Sequence, residues 1–273
     1  MPDRRVVVTR PELDARRLAR DLTQAGLAPT VLPLIEVAGA DARAPLVRAW
    51  QTIADYLAVM FVSANAVTYF FECRPPAMSV FDARAFCKSR AWATGPGTVK
   101  ALLRHGAEPP WIDAPAPETG RFDSDHLWEV VRGRVQPGDR VLIVRGADGA
   151  DSADGVAAVP AHGVGRDWLA EQLTQAGARV DFVVAYQRRA PCWSPRQMAQ
   201  ARQAAGDGSV WLFSSVQALA NLRTILPTQD WSGARAVATH PRIAAAVRHA
   251  GFGVVCESRP VLAEMVASIE SIE

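Results

Sequence analysis

Leu18–Gly26 reads LARDLTQAG and Leu169–Gly177 reads LAEQLTQAG, and a strand signal follows each of them. In the first copy Leu13, Leu18 and Leu22 keep helical spacing and stop at Gly26, a residue suited to the left-handed position that ends a helix. The likeness extends outward. VMFVSANAV at Val59–Val67 parallels VWLFSSVQAL at Val210–Leu219, and WATGPGTVKALLRHG at Trp92–Gly106 parallels VATHPRIAAAVRHAG at Val237–Gly251. The chain is therefore an internal duplication of two similar halves.

Short aliphatic runs alternate with such helices along the whole length. Val6–Val8, Val31–Ile35, Leu57–Val62, Ala91–Ala93, Val141–Val144, Val180–Tyr186, Val210–Phe213, Ala236–Ala238 and Gly253–Cys256 read as strands, most of them too continuously apolar for a one-sided sheet. The expected class is α/β, with buried parallel strands and crossover helices. At 273 residues the chain has room for roughly two domains. Composition turns polar or proline-rich at Ala38–Arg43 and again at Arg188–Pro195. This predicts a discontinuous first lobe of residues 1–37 and 190–273 and an inserted second lobe of residues 40–185. Each is expected to be a doubly wound, five-stranded parallel sheet, the two joined by two linkers around a cleft. Gly146–Gly165, rich in Gly, Ala and Asp, reads as a flexible surface insertion over 147–164. The ligand spacing of a calcium loop is missing there.

The composition is that of an ordinary globular chain, with 49% hydrophobic and 21% charged residues and a formal charge of +2. The basic residues are scattered, so no nucleic-acid footprint is expected. Cys73, Cys87, Cys192 and Cys256 lie far apart and read as buried thiols of a reducing compartment, the cytoplasm. The apolar run in residues 1–10 is too short for a signal peptide, and no run approaches the ~18 apolar residues of a membrane span.

In open α/β sheets ligands bind beyond the carboxyl ends of the strands. The residues expected there are Thr9-Arg10-Pro11, Ser63-Ala64-Asn65, Thr94-Gly95-Pro96, Arg145-Gly146, Ser214-Ser215 and Thr239-His240-Pro241. Each hydroxyl reads either as the cap of the following helix or as part of an anion-favouring helix N-terminus. Arg10 and Arg145 are candidates for carboxylate recognition or for internal ion pairs. His240 is either a ligand contact or structural, whereas His105 and His249 read as compensating helix C-termini. Tyr186 closes the last strand of the inserted lobe, where its hydroxyl either faces the interlobe space or anchors the hinge. The eight tryptophans read as packing residues.

Several chemistries are excluded by pattern. The turn TRPELD after the first strand lacks the glycines of a dinucleotide site, Lys100 stands where a third glycine belongs after Gly95-Pro-Gly97, and no phosphate-binding loop occurs. The histidines and cysteines lack metal-ligand spacing, and there is no Gly-x-Ser-x-Gly elbow.

Taken together, VVVTRPELDARRLARDLTQAGLAPTVLPLIEV (Val6–Val37), FVSANAVTYFF (Phe61–Phe71), ATGPGTVKALLRHG (Ala93–Gly106), the Asp123-Ser124 to Leu127 segment, VLIVRG (Val141–Gly146), GRDWLAEQLTQAGARVDFVVAYQRRAP (Gly165–Pro191), FSSVQAL (Phe213–Leu219) and ATHPRIAAAVRHAGF (Ala238–Phe252) resemble the uroporphyrinogen-III synthases. The resemblance covers essentially the whole chain apart from Ala147–Val164. No single motif is diagnostic, but the joint order and spacing are specific.

The resemblance implies a lyase that needs no cofactor and no metal. In its reaction hydroxymethylbilane loses water, ring D is inverted through a spiro intermediate, and the macrocycle closes as uroporphyrinogen III, in haem biosynthesis. It also implies that Tyr186 assists departure of the hydroxyl, and that Ser63, Thr94-Gly95, Thr98 and Ser214-Ser215 line the substrate site. His240-Pro-Arg-Ile243 departs from the Gly-x-x-Thr form common in the family, which leaves that role to His240 or Arg242. The expected partner is hydroxymethylbilane, received by transient hand-over from hydroxymethylbilane synthase, with a monomeric chain, no nucleic acid and no membrane. The competing expectation is a non-catalytic, two-lobed binding protein for a small anionic metabolite.

Overall fold

Val6, Val7 and Val8 are all buried, yet they belong to two cores: Val6 and Val8 pack with Leu18, Leu22 and Ile269, whereas Val7 packs with Trp211 and Leu222. Alternation of side chains along a strand requires this when helices cover both faces of a sheet. In the computed structural model, which describes residues 4–76, 89–148 and 164–272, the pattern recurs throughout. The chain forms two compact units, Met1–Val37 with Arg189–Glu273, and Ala38–Arg188.

The first unit contains β1 (Arg5–Val8), α1 (Glu12–Gln24), β2 (Ala28–Val31), α7 (Pro195–Ala204), β9 (Val210–Phe213), α8 (Val216–Ile225), β10 (Arg235–Ala238), α9 (Pro241–His249), β11 (Val254–Glu257) and α10 (Leu262–Ser271). Its five strands run in the order β11-β10-β9-β1-β2, each adjacent pair parallel.

The second unit is built from α2 (Ala44–Gln51), β4 (Ala58–Phe61), α3 (Ala64–Glu72), β5 (Arg90–Ala93), α4 (Pro96–Arg104), β6 (Ile112–Asp113), α5 (Ser124–Val131), β7 (Arg140–Asp148) and α6 (Val164–Gln175). Two further strands, β3 (Glu36–Gly39) and β8 (Arg179–Arg189), each cross a division between the units in sequence and complete the sheet β3-β8-β7-β4-β5-β6. The second sheet thus has six strands where five were expected, because the eleven-residue β8 extends far enough to take up β3 at its edge.

Apart from β3, the two sheets have one plan. In each, the strand that precedes an LTQAG helix (β1 or β7) lies between the strand that follows that helix (β2 or β8) and a strand from the other half of the duplication (β9 or β4). The first βαβ segment of each repeat therefore completes the sheet begun by the other repeat. The two LTQAG helices also end alike. Gly26 and Gly177 take φ of 82° and 85°, and the next amides, Leu27 and Ala178, donate back to the Leu22 and Leu173 carbonyls. Those four residues are themselves buried, which is the hydrophobic contact this terminator requires.

Three expectations are corrected. Leu32–Ile35 is not strand: β2 ends at Val31, and Pro33 has no amide to offer a ladder. The segment is nonetheless buried, because Trp193 Nε1 donates to the Pro33 carbonyl at 2.8 Å and Asn221 Nδ2 to that of Leu34 at 2.7 Å. Second, β7 continues to Asp148 instead of stopping at Val144, since it pairs with β8 along its whole length. Of the supposed insertion, 149–163 lie outside the described residues. Third, the described cysteines are not buried: Cys73 and Cys256 are half-buried and Cys192 is exposed.

His105 also differs from its reading as a compensating charge. It follows α4, but its ring stacks on Phe71 at 4.8 Å, and burial, aided by the nearby Arg74 charge, lowers its pKa. The fold favours neutral imidazole, so this contribution is fully present above the unfolded-state value of about 6.5 and declines as pH falls through the lowered folded-state value. Urea denaturation across pH 7.5 to 5 is expected to show this acid-side loss of stability, and His105→Phe to reduce it. In the cores, Leu22→Ala and Leu173→Ala should each cost about 2–5 kcal/mol in the same assay. Leu13→Ala, at a side 72% exposed, should change stability by less than about 0.5 kcal/mol.

Candidate functional site

Parallel pairing places the carboxyl ends of neighbouring strands side by side. In the second unit these are the ends of β4, β5 and β7. Ser63 follows β4 and caps α3, its Oγ accepting the Ala66 amide at 3.2 Å, with Ala64 and Asn65 opening the helix. Ser63 Oγ also lies in hydrogen-bond contact with Tyr186 Oη at 3.1 Å. Arg188 Nη2 donates to the same phenol oxygen at 3.2 Å, and its guanidinium carbon lies 5.5 Å from the Tyr186 ring centre. Tyr69, on α3, stacks against Tyr186 at 6.1 Å.

Space for the ring comes from Gly146. A Cβ built there would stand 2.4 Å from Tyr186 Cζ, far inside contact distance. The β7–β8 register shifts between Arg145 and Gly146, so Gly146 pairs with Tyr186 while Arg145 pairs with Val184. The longer strand corrects the reading of Arg145-Gly146 as residues just beyond a strand end: both lie within β7, and the Arg145 guanidinium sits 4.9 Å from the Phe182 ring centre. Tyr186 itself has no exposed surface, whereas Ser63 and Arg188 are partly exposed.

Beside this cluster, Thr94 follows β5, and Gly95, not Thr94, is the N-cap of α4. Proline at the first helical position fixes the cap as the residue just before it. Thr98 is buried in the first turn. A largely apolar groove of about 420 Å³ opens here, lined among others by Gly95, Pro96, Lys100, Leu103 and Phe122.

In the first unit the ends of β1, β9 and β10 meet. Thr9 is buried and donates to the Leu212 carbonyl at 2.7 Å, so it locks two strands together instead of capping α1. Pro11 is the N-cap there. Arg10 Nε donates to Ser214 Oγ at 3.1 Å, and Ser215 occupies the N-cap of α8 without a side-chain bond. His240, not Thr239, caps α9, its Nδ1 accepting the Arg242 amide at 3.1 Å, with Pro241 following. Ile243, at the position of the absent threonine, is a core residue, while Arg242 is exposed.

The first turns differ in charge. Glu12 and Asp14 stand in the first turn of α1 and already offset its helix dipole. The first turns of α3, α4, α8 and α9 carry no acid, so their free amides remain suited to anions. Among the described residues no cluster of three or more metal-ligating side chains occurs, and no helix is long and apolar enough to cross a membrane.

Residues 16–267 match the family described as Uroporphyrinogen-III synthase HemD. The chain belongs to the uroporphyrinogen-III synthase family. A porphyrin biosynthesis protein HemD from Ruminiclostridium josui is 30% identical over 147 residues, 54% of this chain, and the match spans 28% of that longer protein. The crystal structure of uroporphyrinogen-III synthetase from Helicobacter pylori aligns over 97% of both chains with a TM-score of 0.57 and 13% identity, which establishes a shared α/β fold. A mutant uroporphyrinogen III synthase from Thermus thermophilus aligns over 98% of this chain and 97% of its own, with a TM-score of 0.49 and 15% identity.

Sequence reasoning missed Arg188 and Tyr69 as members of the tyrosine cluster. Arg188 was within reach, since it follows Tyr186 by two residues on an extended strand and so shares its face. Tyr69 carried no signal, because only the packing of α3 on the sheet brings it near. The Gly146 fit yields a test. Gly146→Ala should destabilise the protein by about 1–3 kcal/mol through overpacking, and the penalty should largely vanish in a Tyr186→Ala background. Denaturant titration of the four members of this cycle measures the coupling.

Proposed function

We propose that this chain converts hydroxymethylbilane to uroporphyrinogen III. Membership of the family supports the reading, and the structural observation that carries it is the set of four helix N-termini, α3, α4, α8 and α9, free of acid in their first turns and placed at strand carboxyl ends. Substrate and product bear eight carboxylates. Dispersed backbone donors, supplemented by Arg10 and Arg145, hold such a molecule with less local charge crowding than one basic patch. The apolar groove beside Gly95 offers hydrocarbon to a pyrrole face. In this reading both units act as similar lobes, and Ser63, Ala64, Asn65, Thr94, Gly95, Thr98, Ser214, Ser215, His240 and Pro241 contribute to substrate binding.

The reaction begins when the hydroxymethyl oxygen takes a proton and leaves as water, generating a cation on the carbon left behind. Attack by the substituted α-carbon of ring D gives the spiro intermediate, rearrangement inverts that ring, and after closure the cation is discharged by loss of the proton on the newly bonded α-carbon. Tyr186 is the proposed donor to the departing oxygen, approached from the side of Ser63 and Arg188. Because the bilane also closes without help to the uninverted isomer, the protein's main task is positioning.

Incubation with hydroxymethylbilane, followed by oxidation and chromatography, should shift the product from isomer I to isomer III; an unchanged ratio rules the reading out. Tyr186→Phe should lower kcat by about 10²-fold with the fold retained, as expected for loss of a general acid, and full activity would remove the phenol from the mechanism.

A further inference from the structure

The hydrogen bonds around Tyr186 have a fixed direction on one side. A guanidinium has donors only, so the contact from Arg188 Nη2 at 3.2 Å requires the phenol oxygen to accept. On the other side, Ser63 Oγ accepts the Ala66 amide as helix cap and lies 3.1 Å from Tyr186 Oη, within hydrogen-bond reach. With a donor-only guanidinium on one acceptor position, the phenol hydrogen must point away from Arg188, to Ser63 Oγ or to an acceptor that takes its place. A cationic donor on the phenol oxygen also polarises its O–H and makes it a stronger donor.

We infer that Arg188 is a positioning residue for Tyr186: by occupying an acceptor site on Oη it aims the phenol hydrogen away from the guanidinium and toward the Ser63 side, where the oxygen that departs from the substrate is received. The neighbours are arranged to keep this geometry. Gly146 leaves the space that the ring fills, Tyr69 stacks on it, and Arg188 lies over the ring as well as against its oxygen. Adjacent Gln187 is buried and donates to Asp41 at 3.2 Å, which holds the strand between Tyr186 and Arg188 in place. The inference rests on the proposed role of Tyr186 as donor and adds a residue that acts through it.

The test compares Arg188→Met, which keeps much of the side-chain length but has no donor, with Arg188→Lys, which retains one, each in the wild-type and Tyr186→Phe backgrounds. Formation of isomer III is followed at varied hydroxymethylbilane, and thermal melts check folding. Arg188→Met should lower kcat about tenfold with KM nearly unchanged, the size expected for one charge-assisted hydrogen bond, and Arg188→Lys should recover part of the loss. In the Tyr186→Phe background Arg188→Met should have little further effect, since no hydroxyl remains to be aimed. If Arg188→Met does not fold, Arg188→Leu replaces it in the same comparison. A loss confined to KM, or one that persists undiminished in the Tyr186→Phe background, assigns Arg188 to substrate binding and overturns the inference. Unchanged kcat in Arg188→Met alongside a slow Tyr186→Phe overturns it while leaving the phenol's role intact. A fully active Tyr186→Phe overturns that role first.

Discussion

Each sheet depends on a parallel pairing between strands from opposite halves of the duplication. β1 lies against β9, with Val8 opposite Leu212, and β7 lies against β4, with Val144 opposite Phe61. Neither half can close its hydrophobic faces by itself: Val6 and Val8 need Val210 and Leu212 beside them, and Ala58 and Met60 need Val141 and Ile143. Thr9 pins the first of these seams by its bond to the Leu212 carbonyl, across 203 residues of chain. Contacts of such sequence separation are formed against a large loop-closure entropy, which makes this topology intrinsically slow to assemble. The same seams bring the strand ends of one repeat next to those of the other, so the candidate sites exist only once the halves have exchanged segments.

Much of this plan was legible because the signals were redundant. The LTQAG copies carry a helix, a terminator and the start of a strand in a few residues, and the glycine that ends each helix has the positive φ its position requires. Burial on both faces was legible from apolar runs without polar alternation, as at Val210–Phe213. What failed was local. Leu32–Ile35 is as apolar as a strand, and only the side chains of Trp193 and Asn221, remote in sequence, reveal how its carbonyls are satisfied without a ladder. The extra strand β3 is four residues of mixed polarity whose pairing exists only because β8 overruns the rest of its sheet.

The site was legible as a set of segments and less so as a set of roles. Ser63 does cap its helix, but at the equivalent turns before Pro96 and Pro241 the cap moves from threonine to Gly95 and His240. A hydroxyl at a strand end is not enough to assign a cap; the proline decides which residue holds it. Gly146 reads from sequence as a flexible residue after a strand. In the structure it is a paired position within one, where the missing side chain leaves room for an aromatic ring.

The charge distribution explains why no motif announced the chemistry. A formal charge of +2 gives no long-range field with which to gather a polyanion, and the basic residues are dispersed. Recognition by helix N-termini uses partial charges belonging to the backbone, each worth about 0.3–1 kcal/mol toward an anion and invisible in composition. Several such termini, free of acidic residues in their first turns, would accumulate affinity for the proposed substrate while each carboxylate is held weakly. Under the proposed reaction, weak, distributed contacts suit a substrate whose ring D must turn over, because no single interaction must be broken at large cost for the inversion to proceed. A strong, localised ion pair would stabilise the ground state as much as the transition state and would leave the barrier unchanged.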